Sequence, residues 1–275
     1  FSGFFRFMDL FVNEKPISTE EGLSLFDLRA WLKKDADIVI LNGFPCREDH
    51  PLRNGDRIIL IRRGEVPPFD ELGALMAARH TPGVHQRVKK ARVGIAGAGG
   101  LGSSVAVALA RIGVGKLVIA DFDLVEPSNL NRQQYFTDQI GLTKVVALRD
   151  NLERINPYTE VVIHDLRLAQ DNIPIVFGEI DVLVEAFDDA DAKAMLIETF
   201  LRCFPEIPVV AASGVAGYDP ANSIVTRRVL RNLYLVGDGQ AEAKPGQGLM
   251  APRVGIAAHH QANAVLRLIL GERAE

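Results

Sequence analysis

The run VGIAGAGGLG (93–102), SSVAVALARIGVG (103–115), KLVIADFD (116–123), LVEPSNLNR (124–132) decides the fold. An apolar stretch, VGIA, enters a turn with Gly97, Gly99 and Gly102 in G-x-G-x-x-G spacing. Ser103 to Ile112 carries alanines and valines at helical spacing, and Leu117 to Ala120 is a second apolar run that ends in Asp121. Strand, tight turn, helix, strand and acid make half of a nucleotide-binding α/β unit. Gly97 permits the turn, Gly99 lets backbone N–H groups approach a phosphate, and Gly102 lets the helix pack close to the strand. The helix N-terminus adds partial positive charge for the phosphate. Asp121 is placed to accept hydrogen bonds from ribose hydroxyls.

Toward the C-terminus the same alternation continues. Thr143 to Ile155 reads as an amphipathic helix stopped by Asn156-Pro157, Glu160 to His164 as a strand, and Ile173 to Phe177 as a short helix. DVLVEA (181–186) and PVVAA (208–212) are buried-type strands around a helix over Ala190 to Phe204. Ile224 to Leu230 suits an antiparallel addition, Gly237 to Gly248 a glycine-rich loop, and Pro252 to Leu270 a long last helix. The expected fold is α/β: a Rossmann-like, mostly parallel sheet with helices on both faces.

Toward the N-terminus the pattern changes. Asp9 to Val12, the turn Asn13 to Pro16 and a return strand from Ile17 form a hairpin. A helix over Leu25 to Lys33 with Ser24 as N-cap, a strand at Asp37 to Leu41 and a last strand at Arg57 to Ile61 complete a small β-grasp (ubiquitin-like) domain. The expected organisation is residues 1–7 as a leader with Met8 as natural start, 8–63 as the β-grasp domain, 64–69 as linker and 70–275 as the nucleotide-binding domain.

With 275 residues, 48% of them hydrophobic, a full core is available. The formal net charge is -4 without a long basic block, so no nucleic acid is expected as partner. The 2 cysteines, Cys46 and Cys203, form no disulfide framework or four-cysteine zinc site and suit a reducing compartment. No apolar run is long enough to span a bilayer, and FSGFFRF lacks a signal-peptide core. No membrane partner is expected, and the expected location is the cytoplasm.

The polar run after Asp121 carries the chemistry. Ser128-Asn129-Leu130-Asn131-Arg132-Gln133 follows a strand at its carboxyl end, where open α/β sheets bind ligands. Arg132 offers a planar fork for phosphate oxygens. Asn129 and Asn131 can hold ribose or phosphate, and Lys144 opens the next helix as a further phosphate ligand. Asp188 and Asp189 follow the DVLVEA strand at the same edge and could hold Mg²⁺ on a triphosphate. Two cationic groups, two acids and a glycine turn point to a nucleoside triphosphate rather than a dinucleotide.

In that order GAGGLG, DFDLVEPSNLNRQ, Lys144 and EAFDD resemble the MoeB/ThiF superfamily, relatives of the ubiquitin-activating enzymes. The resemblance covers about Arg79 to the end. The YF after RQQ, MAPRVGIAAHHQAN and EAFD look most like a ThiF subgroup of thiamine biosynthesis. Residues 8 to 63 fit a ThiS-like domain fused in front. The resemblance implies an adenylyltransferase that uses ATP and Mg and acts on the C-terminal carboxylate of a separate ThiS-like sulfur carrier with a Gly-Gly tail. It implies a homodimer. It also implies that Gly99 and Asp121 hold the nucleotide, that Asn129, Asn131, Arg132 and Lys144 contact ribose and phosphates, and that Asp188 handles Mg²⁺. Arg79 is the candidate for the superfamily's arginine finger.

The departures from that family are specific. The two C-x-x-C zinc pairs of many relatives are absent, and VGDGQAEAKPGQG (236–248) has no cysteine to accept a carrier or its sulfur. The β-grasp stretch ends in RIILIRRGEVPP with one glycine, Gly64, and no free carboxylate, so it cannot itself be adenylated. Cys203 reads as core, Cys46 as a turn residue, Asp189 as a helix cap and Arg227-Arg228 as a solvated strand face. Two other readings stay open: a non-catalytic or regulatory nucleotide-binding relative, and an NAD-dependent oxidoreductase.

Overall fold

The computed structural model describes residues 7–78, 80, 81, 83–241 and 243–275. The chain forms two compact units, Phe1–Pro82 and Gly83–Glu275.

In the first unit, β1 (Phe7–Val12) alternates exposed and buried residues, so Met8, Leu10 and Val12 share one face. β2 (Lys15–Glu20) returns antiparallel through Asn13 and Glu14, both at positive φ. Asn13 offsets that strain: its Oδ1 accepts from the Leu60 N–H at 2.9 Å and its Nδ2 donates to Glu71 at 2.6 Å. α1 (Leu25–Leu32) starts at a capping box between Ser24 and Asp27 and buries Leu25 and Leu28. β3 (Ile38–Leu41) turns through Asn42-Gly43 into β4 (Phe44–Cys46). β5 (Arg57–Ile61) fills the gap between β1 and β3, giving the order β2-β1-β5-β3-β4, with β1 and β5 parallel. α2 (Phe69–Ala77) follows. This is the expected β-grasp, except that Cys46 lies in a strand and not in a turn.

In the second unit, α3 (Val84–Val88) leads to β6 (Arg92–Ala96), α4 (Gly100–Arg111) and β7 (Lys116–Asp121). Next come α5 (Lys144–Ile155), β8 (Glu160–Asp165), α6 (Ile173–Val176), β9 (Val182–Glu185), α7 (Ala190–Cys203) and β10 (Val209–Ala212). β11 (Val225–Leu230), β12 (Leu233–Gly237) and α8 (Ala251–Ile269) complete it. The strand order is β11-β12-β10-β9-β6-β7-β8, parallel except for β11 against β12. β12 is a strand in a stretch, residues 231–236, to which the sequence reading gave no element.

Two cores cover the two faces. Val105 and Leu109 of α4, Leu148 of α5 and Val254 and Ala257 of α8 pack on one side with Val93, Ile95 and Leu117. Ile173 and Val176 of α6 and Leu196 and Phe200 of α7 pack on the other with Val118 and Leu183. Cys203, at the end of α7, is exposed rather than in the core. The chain first runs from β6 outward through β7 to β8, then returns to the opposite flank of β6 with β9. A crevice therefore opens at the carboxyl ends of β6, β7 and β9, the switch point where such sheets bind ligands.

Candidate functional site

β6 delivers the glycine turn to that crevice. Gly97 has φ of +96°, and a Cβ there would stand 2.8 Å from the Ala186 carbonyl oxygen. A Cβ on Gly102 would stand 1.8 Å from the Gly97 carbonyl oxygen, so only glycine lets the first turn of α4 lie against β6. Around Gly99, the N-cap of α4, the same construction meets nothing within 4 Å. The free N–H groups of the α4 first turn thus begin beside open space, as an anion site requires.

The turn is clamped from both sides at Ala98. Asp121, the last residue of β7, accepts from the Ala98 N–H at 2.6 Å and from the Asp123 N–H at 2.8 Å. Tyr135, buried, donates its hydroxyl to the Ala98 carbonyl at 2.7 Å. Burial raises the Asp121 carboxyl above its ordinary range, against the opposing pull of those amides and of Lys144. Burial likewise raises the Tyr135 hydroxyl, which stays a neutral donor.

Residues 128–135 lie along the start of α4. The Gln134 N–H donates to the Ser103 hydroxyl at 3.2 Å, and the Arg132 side chain passes 3.4 Å from where a Cβ on Gly100 would be. Arg132 donates from one guanidinium nitrogen to the Ser128 carbonyl and to Asn131 Oδ1. Asn131 donates to the Leu249 carbonyl at 3.2 Å, tying this run to the end of the glycine-rich loop. Asn129 is buried and accepts from the Glu126 N–H at 3.0 Å, which shapes the turn that presents Arg132.

Lys144 opens α5, is 8% exposed, and pairs with Asp123 at 2.7 Å. The backbone repeats the link, since the Lys144 N–H donates to the Asp123 carbonyl at 2.9 Å. Asp188 is exposed just beyond β9, with no hydrogen bond to its carboxylate among the described residues. Asp189 caps α7 by accepting from the Ala192 N–H at 2.8 Å, as its position predicted. Arg79 lies outside the described residues.

The fold therefore gathers Gly97, Gly99, Gly102, Asp121, Arg132 and, through Asp123, Lys144 around one strand-end crevice. Among the described residues no group of three or more His, Cys, Asp or Glu is arranged to hold a metal ion. The exposed carboxylate of Asp188 could take Mg²⁺ that arrives on a triphosphate, since such an ion needs only one or two protein carboxylates.

Three features of the crevice were not read from the sequence: the Tyr135 clamp, the Asp123–Lys144 pair and a polar cluster behind β9. The first two had a local signal, since Tyr135 and Asp123 sit inside the quoted motif. In the cluster, Glu185 is fully buried and pairs with Lys193 at 2.7 Å. Burial raises the Glu185 carboxyl, while Lys193 and the Phe187 and Ala212 amides oppose the shift.

The ThiF family matches residues 73–275, the whole of the second unit and the ten residues before it, and ThiS-like ubiquitin matches residues 8–64. Ubiquitin-like modifier-activating enzyme 5 of Caenorhabditis briggsae is 29% identical over 197 residues, which is 67% of this chain and 45% of that protein. The probable adenylyltransferase/sulfurtransferase MoeZ of Mycobacterium tuberculosis is 41% identical over 105 residues, 38% of this chain and 27% of that protein. The chain spans less than half the length of these curated relatives. The solved tRNA N6-threonylcarbamoyladenosine dehydratase TcdA of E. coli, in complex with AMP, aligns with a TM-score of 0.65 at 23% identity, over 71% of this chain and 93% of that one. That likeness shows the fold.

Proposed function

The chain belongs to the ThiF family, and from that premise we propose that it adenylates the C-terminal carboxylate of a small ThiS-like carrier protein, with MgATP as second substrate. The observation that carries this reading is the crevice at β6 and β7. There the α4 N-terminus and Arg132 offer donors, Lys144 stands paired with Asp123, and Asp121 lies at the end of the neighbouring strand.

In this reading the triphosphate lies against the open first turn of α4 beside Gly99. Arg132 and Lys144 neutralise phosphate oxygens, and Asp121 keeps lone pairs for the ribose hydroxyls while it holds the turn. Asn131 and Asn129 fix the segment that aims Arg132. Asp188 takes the Mg²⁺ that comes with ATP. A carboxylate oxygen of the carrier attacks the α-phosphorus, an acyl–phosphate bond forms, and the bond to the bridging oxygen breaks to release pyrophosphate. The attacking group is ionised at neutral pH, so no general base is needed. Positioning and charge neutralisation are then the main work of the site.

A Gly-Gly tail suits the carrier, because a backbone without side chains can follow a narrow path to the phosphates. The chain's own β-grasp unit is not that substrate: after β5 it continues through Gly64, at positive φ, into α2. A sulfur carrier of thiamine or related biosynthesis, a cytoplasmic homodimer and an arginine finger at Arg79 complete the proposal. The loop at 236–248 carries no cysteine, so a thiol-linked second step in this stretch is not part of the proposal.

ATP–pyrophosphate exchange in the presence of a separate Gly-Gly carrier tests the reading. Exchange that depends on the carrier and vanishes in Arg132→Ala and Asp188→Ala supports it. ATP binding without exchange for any Gly-Gly carrier would overturn it. The missing loop cysteine and the uninterrupted β-grasp unit favour the second reading in that event, a regulatory nucleotide-binding protein.

A further inference from the structure

Behind the exposed Asp188 stands a polar cluster that the adenylation chemistry does not use. Glu185, the last residue of β9, accepts from the Phe187 N–H at 2.7 Å and from the Ala212 N–H at 3.4 Å. Lys193 of α7 donates to Glu185 at 2.7 Å and to the Ala212 carbonyl at 2.6 Å. Gln261 of α8, fully buried, donates to the Glu185 carbonyl at 2.9 Å and to the Val210 carbonyl at 3.2 Å. Two strands and two helices are thus joined beneath one short turn.

That turn is held on both sides of Asp188. Before it, the Phe187 amide is fixed by the Glu185 side chain, and the Ala186 N–H donates to the Ala96 carbonyl at 2.9 Å. After it, Asp189 caps α7. The Ala186 carbonyl also abuts Gly97, so the same turn rests on the glycine loop. Stability alone gives little reason for this arrangement, since a well-packed apolar pair commonly replaces a buried ion pair at no loss. What the carboxylate supplies and an apolar group cannot is a fixed acceptor for the Phe187 N–H.

We propose that Glu185, anchored by Lys193, is the positioning residue for Asp188. It sets where the Asp188 carboxylate stands relative to the glycine turn, and so how firmly Mg²⁺ on bound ATP is held. This rests on the adenylation reading for the ligand. Glu185 touches neither nucleotide nor metal; it acts through the Phe187 backbone.

The test is calorimetric ATP binding with and without Mg²⁺, on the full chain, for Glu185→Ala, Glu185→Gln and the double variant Glu185→Leu/Lys193→Met. The double variant fills the space with apolar groups and keeps the fold while removing the acceptor. Glu185→Ala and the double variant are expected to lose about tenfold or more of the Mg²⁺-dependent gain in ATP affinity, the size seen when outer partners of metal ligands are removed. Their affinity for Mg²⁺-free ATP stays within about twofold, and Glu185→Gln, which keeps an acceptor oxygen, restores most of the gain. Combined with Asp188→Ala, the Glu185 substitutions have no added effect, as coupled positions require. An unchanged Mg²⁺ gain in the double variant overturns the proposal, and so does an equal loss with and without Mg²⁺. Failure of the unaltered protein to bind ATP at all overturns the adenylation reading instead.

Discussion

The Asp121 carboxylate lies 2.6 Å from the backbone nitrogen of Ala98, so the acid at the end of β7 holds the glycine turn at the end of β6. The residue proposed to hold the ribose is therefore also a structural part of the glycine turn. Asp121→Asn can accept from only one of the two amides, Ala98 or Asp123, that the carboxylate serves. Loss of a hydrogen bond to a charged group costs about 1.5–3 kcal/mol. ATP affinity should fall by roughly tenfold to a hundredfold, together with faster amide exchange at whichever of Ala98 and Asp123 loses its acceptor. Normal exchange protection at both amides in the variant contradicts this dual role.

Two glycines of the motif make opposite predictions. Gly102→Ala places a methyl 1.8 Å from the Gly97 carbonyl, so α4 must shift. Unfolding free energy should drop by about 1–3 kcal/mol, the usual penalty of overpacking. Gly99→Ala meets nothing within 4 Å, and its urea midpoint should stay close to that of the unaltered protein. Its ATP affinity should still fall, because the methyl occupies the space proposed for phosphate. Equal stability losses at the two sites would contradict the packing argument.

The Asp123–Lys144 pair is asymmetric, with side-chain exposures of 49% and 8%. Removing the acid leaves a buried, unpaired ammonium; removing the lysine leaves an acid that water can reach. Asp123→Asn should therefore destabilise by about 2 kcal/mol, less than a fully buried pair loses, and Lys144→Met by less than that. Pyrophosphate exchange should suffer in the reverse order, Lys144→Met losing about a hundredfold or more as a lost phosphate contact. Denaturant curves and exchange rates on the two variants check both orders.

The Arg253–Asp238 pair contributes to stability against acid. Arg253, 2% exposed, pairs with Asp238 and donates to the Asp219 carbonyl at 2.8 Å, fastening the loops around Gly214 and Gly239 to α8. Burial pushes the Asp238 carboxyl upward, but the Ala241 and Gln240 amides and Arg253 outweigh it and hold it below its ordinary value. With the folded value below the unfolded one, the stabilisation is present above the ordinary carboxylate range and is lost as pH falls through the folded value. Asp238→Asn should be less stable at neutral pH and show a shallower loss of stability on acidification. Parallel pH profiles for the two proteins would contradict this.

Much of the second unit was legible because its signals are local. Gly97, Gly99, Gly102 and Asp121 lie within one continuous strand–turn–helix–strand, and their places in the fold follow from spacing. β12 was missed because Arg231-Asn232 turns the chain without a glycine, so nothing marks the start of a second strand. β4 was missed because it is three residues long and holds a proline, tolerable only at the sheet edge where it lies. The Glu185–Lys193–Gln261 cluster has no such signal: Gln261 is 76 positions from Glu185, and only the packing of α8 brings them together. Cys203 misled because at the end of α7 it is Phe204, packed on Phe200, that continues the core face, and Cys203 is left exposed.

α8 supplies Arg253 to the loops at Asp219 and Asp238 and Gln261 to the strand end at Glu185. It also covers α4 through Val254 and Ala257. On a ribosome the glycine turn emerges long before this helix, and domains complete themselves as their last elements become available. The nascent protein can therefore form the glycine turn early and still lack the helix that fastens the strand end at Glu185 and covers α4.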